Sequence, residues 1–273
     1  MRIRRTQAAA VLALAAMLLA PAARAQNPDT MDPDASAAKG RALLKQLVET
    51  LGGQRYLGAR GIECQGRRAQ FGHNGDLMGF APFKDYWIYP DKRRTEYGKK
   101  GNVVDMFTGD QGWTLDRGGV SEEPATAGTD FQEAVKRDAN NLLRYRLKEN
   151  GVLVRYGGSG IVDLKPVDWV EVTDAEERTY RLAIERSTHL LIRSVVTVQD
   201  EETRERRDEA TVYSNYQLKD GLQVPMQVSR ERDGRRTYQA FYEECRVNPP
   251  LAGDFFTKES LEKRFAELGG KRK

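Results

Sequence analysis

Few side chains in this sequence have the types and spacing that catalysis requires. The two histidines, His73 and His189, stand far apart among turn-forming residues, so hairpin tips explain them and no zinc site is predicted. The chain contains no Gly-x-Ser-x-Gly elbow, no HExxH helix and no Walker lysine. The Gly-Gly-Ser-Gly run at residues 157–160 lacks the Lys-Ser/Thr ending of a phosphate loop and is interpreted as a loop or bulge. We therefore predict no catalytic residue, no metal and no cofactor.

Carboxylates are plentiful, with 40 Asp and Glu in the chain, but only one pair stands out. Asp168 and Glu171 flank Trp169, and an apolar setting of that kind would raise their pKa values. The arrangement is too common in proteins to indicate acid–base chemistry. A hydrolase is therefore the third-ranked interpretation.

The first 25 residues have the three parts of a secretory signal peptide. Three arginines among the first five residues precede an apolar run at residues 8–20, which is too short to span a bilayer. Ala23-Arg24-Ala25 supplies the small-x-small cleavage site, and no cysteine follows it to carry a lipid anchor. We predict a cleaved signal peptide at residues 1–25 and a periplasmic product with no transmembrane segment.

Without the leader, the chain is formally neutral. The leader carries four of the 44 Lys and Arg and none of the 40 Asp and Glu. Net charge therefore gives no support for binding nucleic acid or an anionic membrane, and the charge runs at residues 92–100 and 201–209 are interpreted as solvated strand ends. The remaining 248 residues can bury one sizeable core. We expect a flexible tail at residues 26–36, a single domain at residues 37–273, and a monomer.

Cys64 and Cys245 stand near the two ends of this domain, in a compartment that permits disulfides. Their spacing excludes CxxC redox chemistry. A disulfide between them would close almost the whole domain, and two separate buried thiols are the alternative.

Hydrophobic periodicity predicts a mainly β (α+β) protein with few helices. Leucines and a valine at helical spacing predict an amphipathic helix at residues 37–51, ended by Gly52-Gly53. A second helical pattern covers residues 129–150, and a short helix closes the chain at residues 258–268. Between them, runs with a period of two predict about eleven antiparallel strands.

Six short motifs, in this order, resemble the periplasmic lipoprotein-carrier (LolA/LolB-like) superfamily, which includes outer-membrane lipoprotein-sorting proteins. They are the helix ending in LGG, the hairpin PDKRR, the turn GDQGW, the segment IERSTHLLIRSVV, the hairpin YSNYQLKDGLQVPMQV and the closing segment NPPLAGDFF. The resemblance spans most of the mature chain. It implies an unclosed β-barrel, in which one strongly curved antiparallel sheet wraps around helices and holds acyl chains in an apolar cavity.

A curved sheet with an apolar concave face can bind a lipid tail without catalytic groups, since each buried CH2 contributes about 0.8 kcal/mol. The opening helix would cover the sheet, and the central helix would form a lid. Candidate lining residues are large apolar side chains, for each of which ordinary core packing is the alternative: Phe80, Phe83, Trp87, Phe107, Trp113, Leu142, Leu143 and Trp169.

These observations favour a non-enzymatic periplasmic carrier of lipids or lipoproteins. Its partners would be a lipid or lipidated protein, together with proteins of the inner or outer membrane. A cell-envelope scaffold with the same fold, its cavity filled by its own side chains, is the alternative.

Overall fold

The computed structural model describes residues 28–71, 76–199 and 206–269. The predicted signal peptide at residues 1–25 and His73 lie outside the described residues. Thirteen strands form one antiparallel sheet, in two groups along the chain. The first group is β1 Gly61–Phe71, β2 Leu77–Ile88, β3 Lys92–Tyr97, β4 Val103–Thr108, β5 Gln111–Asp116 and β6 Gly119–Glu122. The second group is β7 Leu153–Val162, β8 Lys165–Thr173, β9 Thr179–Glu185, β10 Leu191–Gln199, β11 Arg206–Lys219, β12 Leu222–Arg232 and β13 Arg235–Val247.

Five α-helices accompany the sheet within the described residues. They are α1 Pro33–Leu51, α2 Gln54–Gly58, α3 Ala125–Arg137, α4 Ala139–Arg144 and α5 Lys258–Glu267. Short 3-10 helices occupy Pro28–Thr30 and Arg146–Lys148.

The sheet consists of two meanders joined at one place. Its order is β6-β5-β4-β3-β2-β1-β13-β12-β11-β10-β9-β8-β7, so β1 pairs with β13 and the two edges are β6 and β7. The sheet does not close on itself, which confirms the predicted unclosed barrel. The strand count is 13 rather than about eleven.

The two additional strands are β6 and β7, which the sequence pattern does not reveal. β6 has four residues, too few to establish an alternation. The glycines at residues 157–160, interpreted as irregular or bulged, lie inside β7, where the register with β8 shifts between Tyr156 and Ser159. The bulge is therefore present, but within a strand that continues on both sides.

α1 begins at Pro33, four residues before the predicted start at residue 37. Asp32 caps the helix by accepting a hydrogen bond from the Ala35 backbone N–H at 3.0 Å, and proline is favoured at the first helical position. Ser36 is buried, and its hydroxyl accepts the Tyr156 backbone N–H at 3.0 Å. Residues 33–36 thus belong to the folded part rather than to the predicted tail. The helix ends at Leu51, as predicted from the Gly52-Gly53 pair that follows it. Gly52 has a φ of 132°, a conformation that favours glycine.

The sequence predicts one continuous central helix at residues 129–150. This prediction is wrong, because the helix is interrupted at Asp138. This residue has an extended backbone (φ −71°, ψ 128°) and ends α3. Its carboxylate accepts the Asn141 backbone N–H at 3.0 Å and so caps α4. Apolar spacing alone does not distinguish two short helices from one long helix.

Most of the core lies between the helices and the second meander. Buried side chains of α1 and α4 pack against strands β8 to β12. The core residues that α1 and α4 contribute are Leu44, Leu47, Val48, Leu51, Ala139, Leu142 and Leu143. A smaller cluster lies on the opposite face of the first meander, where Leu261 of α5 packs against Val104, Met106 and Leu115.

A buried charge network fastens the end of the central segment to the turn between β8 and β9. The Arg146 guanidinium contacts the Asp174 carboxylate at 2.9 Å, and the Asp174 side chain has no exposed surface. Arg178 contacts the same carboxylate at 3.2 Å and also donates its backbone N–H at 2.9 Å. Burial would raise the pKa of Asp174, but the Arg178 backbone hydrogen bond and the Arg146 guanidinium outweigh burial and hold that pKa below its usual range.

The two cysteines form a disulfide, which resolves the alternative left open by the sequence. Cys64 of β1 and Cys245 of β13 lie directly opposite each other in the strand pairing. The bond therefore crosslinks the ladder that, in the described part of the chain, joins the two meanders.

We expect removal of this disulfide to destabilise the whole sheet. The cysteines are separated by 181 residues, and closing a loop of that size contributes about 5 kcal/mol on the chain-entropy model. The double variant Cys64→Ala/Cys245→Ala should lose a large part of this free energy of unfolding, measured by urea denaturation. Wild type in reductant should unfold at the same urea concentration as the variant. Equal midpoints for oxidised wild type and the variant would contradict the prediction.

We expect Asp174→Asn to destabilise the fold by roughly 1 to 3 kcal/mol at neutral pH, because two buried guanidinium contacts lose their charged acceptor. A carboxyl whose pKa is lowered by folding stabilises the folded state above its unfolded pKa, and this contribution is lost as the pH falls through the folded value. The difference between wild type and variant should therefore shrink below about pH 4. Glu176→Gln, in the same turn but half-exposed, is the control and should change stability little. A difference that is constant from pH 7 to pH 3 would argue against the role of the Asp174 charge.

Candidate ligand-binding cavity

A cavity of about 150 Å³ lies where the two meanders join, on the sheet face that carries α2 and α4. Its walls come from β1 to β3 on one side and from β11 to β13 on the other, with α2 and α4 at one end. We call it the central cavity. This volume is below the usual range for small-molecule sites, about 300 to 1000 Å³, and is close to that of a cavity that holds one benzene-sized molecule.

One side of the central cavity is apolar. Successive residues of a strand point to opposite faces, so Val224 and Val228 of β12 share a face and both line the cavity. Ile62 and Cys64 of β1 and Val247 of β13 extend this wall across the disulfide. An apolar surface of this kind binds hydrocarbon without specific hydrogen bonds.

The other side is built from aromatic residues with polar tips. Trp87, Tyr89, Tyr213, Tyr238 and Tyr242 all line it. Burial raises the pKa of Tyr89 to about 12 and moves the pKa values of Tyr213 and Tyr242 in the same direction. These phenols are therefore uncharged at neutral pH and can donate hydrogen bonds.

A paired charge lies in the floor of the central cavity. Asp85 of β2 is buried and accepts both Nε and Nη2 of Arg93 on β3, at 3.0 and 2.9 Å. The Thr95 hydroxyl donates to the same carboxylate at 2.9 Å. Both oxygens of Asp85 are thus already occupied, and this pair offers little acceptor capacity to a ligand.

Arg144 of α4 is a buried cation without a carboxylate partner among the described residues. Its guanidinium lies between the rings of Tyr56 and Tyr89, 3.9 and 4.2 Å from their centroids. It donates to the backbone carbonyls of Tyr56 and Ala59. Its Nε is buried and has no hydrogen-bond partner in the described part of the chain.

Asp138 lies at the break between α3 and α4, where the charges of Arg230 and Arg144 act on its carboxylate. Burial raises the pKa of its carboxyl, and the backbone N–H of Asn141 partly opposes that shift. Because the carboxylate already caps α4, its main role is structural.

A wider groove of about 560 Å³ adjoins the central cavity and runs beneath α3. Trp87, Arg93, Asp138, Tyr213 and Arg230 line both spaces. The shared residues mark a junction at which the central cavity meets the groove.

α3 spans this groove from one meander to the other. At its first half, Phe131 stacks on Phe107 of β4 with ring centroids 4.8 Å apart, and Gly128 packs against the Asp110 carbonyl. A Cβ at Gly128 would lie 1.8 Å from that oxygen, so only glycine fits this approach. At its other end, Arg137 contacts Glu209 of β11 at 3.2 Å. The position of α3 is that of a lid, whereas α4 belongs to the core.

The eight residues proposed from sequence as cavity lining divide between the two faces of the sheet. Trp87 lines the central cavity and the groove. Phe83 packs on Tyr242 with centroids 5.7 Å apart, and Phe107 lies under α3. Leu142 and Leu143 are buried in the main core and do not line the central cavity.

The remaining three lie elsewhere, because the alternation of each strand directs them away from the cavity. Trp113 packs in the cluster under α5. Trp169 packs against Val167 and Ala183, with the Arg181 guanidinium 4.8 Å from its ring. Phe80 is 48% exposed and contacts Phe241.

The polar residues that line the central cavity were not predicted from the sequence, in particular Arg144 and Arg230. The signal for Arg230 is present in the alternation Val224, Met226, Val228, Arg230, in which a charged residue continues an apolar face. Arg144 carries no comparable signal, because an arginine near the end of a helix is ordinary.

The carboxylates singled out for raised pKa values are paired instead. Arg186 contacts Asp168 at 2.9 Å, and although burial would raise the pKa of Asp168, the Arg186 hydrogen bonds outweigh it and lower that pKa. Glu171 pairs with Arg155 and Arg181. Among the described residues no group of three or more His, Cys, Asp or Glu could hold a metal ion. No described helix combines the length and apolar character needed to cross a membrane.

No protein-family model matches the sequence, and no curated protein matches it. Solved structures do resemble it. A DUF1329 family protein from Desulfovibrio piger has a TM-score of 0.57 and 12% identity, with 85% of this chain and 100% of that chain covered. A putative outer membrane lipoprotein-sorting protein domain from Vibrio parahaemolyticus has a TM-score of 0.53 and 9% identity, with 83% and 99% covered.

A LolA superfamily protein from Nitrosomonas europaea has a TM-score of 0.51 and 10% identity, with 81% of this chain and 99% of that chain covered. At these identities the similarity concerns the fold alone, and it agrees with the unclosed sheet and its covering helices. The chain therefore has a LolA-like fold.

Proposed function

We propose that this protein is a periplasmic carrier or binding protein for lipids or lipidated proteins, and that it holds acyl chains in the central cavity without catalysing a reaction. The observation that carries the proposal is the central cavity itself, which lies between the two meanders and has an apolar wall along β1, β12 and β13. Fold neighbours include a LolA superfamily protein and a lipoprotein-sorting domain, which supports the same class of ligand.

The energetics of the apolar wall suit a hydrocarbon tail. Each buried methylene contributes about 0.8 kcal/mol, so eight methylenes contribute about 6 kcal/mol before the losses of binding entropy. A tail of that length gives measurable affinity without any specific polar contact.

The predicted signal peptide supports the periplasmic assignment. The leader at residues 1–25 has the charge, apolar run and cleavage site of a signal peptide. The disulfide between Cys64 and Cys245 suits an oxidising compartment. Membrane proteins that deliver or receive the ligand would be its partners.

Filling the central cavity should abolish acyl-chain uptake and leave the fold intact. Val228 lines the cavity, whereas its neighbour Gln227 points to the other face of β12 and does not. We expect Val228→Trp to weaken binding of a fluorescent fatty acid at least tenfold, because the indole occupies the space of the tail. Gln227→Trp is the matched control and should bind like wild type.

Thermal unfolding and circular dichroism should be similar for the two variants. Val224→Phe offers a second, smaller filling change should Val228→Trp fold poorly. Unchanged fatty-acid binding in well-folded variants of both cavity residues would refute the assignment of the central cavity.

A further inference from the structure

We propose that the ligand is an anionic amphiphile, and that its phosphate or carboxylate head binds at the junction between the central cavity and the groove through Arg68 and Arg230, with the Trp87 indole N–H as a third donor. This inference rests on the proposed function, since it takes the tail to occupy the central cavity.

Arg68 and Arg230 converge on a single aromatic ring. Their guanidinium carbons lie 5.2 and 5.3 Å from the centroid of Tyr238, which lines both the central cavity and the groove. Stacking on tyrosine orients a guanidinium while leaving its N–H groups free to donate. Tyr238 of β13 thus anchors one guanidinium group from each neighbouring strand, Arg68 from β1 and Arg230 from β12.

Neither cation is in direct contact with a described carboxylate. Arg68 donates to the Tyr97 hydroxyl at 3.1 Å, and its other ring contact is with Tyr97. Arg230 stacks on Tyr238 and forms no side-chain ion pair with any residue in the described ranges. In contrast, Arg93, Arg137 and Arg232 near the same surfaces all contact carboxylates. The junction therefore contains two guanidinium groups without a direct carboxylate contact among the described residues, and the Asp138 carboxylate lies near enough to Arg230 to interact with it electrostatically.

The polar groups at the junction are mainly donors. Trp87 lines both spaces, and its indole N–H is buried without a hydrogen-bond partner among the described residues. Most carboxylates that line the two spaces are engaged: Asp85 accepts from Arg93 and Thr95, and Asp138 caps α4. In the groove, Glu209 and Glu231 form ion pairs with other arginines, and Asp130 is exposed on α3. A buried donor without a partner is destabilising, so a ligand that supplies acceptor oxygens and negative charge gains most here.

The arrangement also matches the shape of an amphiphile. The apolar wall formed by Ile62, Val224 and Val228 lies on the central-cavity side of the junction. Arg68 lies on the groove side, and Arg230 lines both spaces and is exposed. A tail in the central cavity would therefore place its head group among the free donors.

The test compares probes that share one tail and differ in head group. Dodecyl phosphate, dodecylphosphocholine and inorganic phosphate are titrated by calorimetry, below micelle concentrations, into the mature protein and its variants. We expect the wild type to bind dodecyl phosphate about tenfold more tightly than dodecylphosphocholine. Inorganic phosphate should bind far more weakly than either amphiphile.

Arg68→Gln/Arg230→Gln should remove the preference for dodecyl phosphate and leave dodecylphosphocholine binding nearly unchanged. Arg67→Gln is the matched control, since Arg67 precedes Arg68 on β1, is exposed and pairs with Glu243. This variant should keep the full preference.

The outcomes separate this inference from the proposed function. Equal binding of the two dodecyl probes by wild type would overturn the anionic head site and leave the acyl carrier intact. A preference that survives in the double variant would also overturn the site. Failure of both dodecyl probes to bind would overturn the carrier function itself, and inorganic phosphate binding as tightly as dodecyl phosphate would show an ion site with no amphiphile.

Discussion

The antiparallel pairing of β1 with β13 is the interaction on which the rest of this structure depends. Within the described residues it is the only ladder between the two meanders, and without it each would be a separate sheet with two open edges. The disulfide between Cys64 and Cys245 holds the two strands in one register. Since Ile62 and Val247 from the two sides of this joint both line the central cavity, the cavity exists only when the joint is formed.

The sequence predicts the kinds of elements better than the direction of their side chains. Alternation and glycine turns predict the antiparallel sheet, and the leucine spacing predicts α1 to its correct end at Leu51. Side-chain direction requires the register of each strand, which depends on distant pairing, and a shift of one residue exchanges the two faces. This is why Trp87 lines the cavity while Trp113 and Trp169, which are equally apolar, pack on the opposite face. The break at Asp138 could not be predicted either, because the sequence pattern does not distinguish a capping carboxylate from an exposed charged residue within a helix.

The two sides of the central cavity have different chemistry, and on our proposal this difference gives the site its selectivity. The apolar side favours any hydrocarbon, so it supplies affinity without distinguishing one lipid from another. The opposite side contains neutral tyrosines, a closed Asp85–Arg93 pair and cations held by aromatic rings. Guanidinium groups that stack on rings keep their positions without a carboxylate, so they remain available to an incoming anion. The fold thus provides a general cavity, and we propose that a few side chains of this chain determine which head group it accepts.

Native mass spectrometry of the mature protein, purified from a periplasm without detergent, would detect a bound lipid. We predict a stoichiometric adduct that organic extraction releases as an acylated molecule with a phosphate or carboxylate head. A mass equal to that of the polypeptide alone, together with failure to take up a fluorescent fatty acid, would contradict it. The protein would then be a scaffold of the same fold, and the central cavity would have no lipid-binding role.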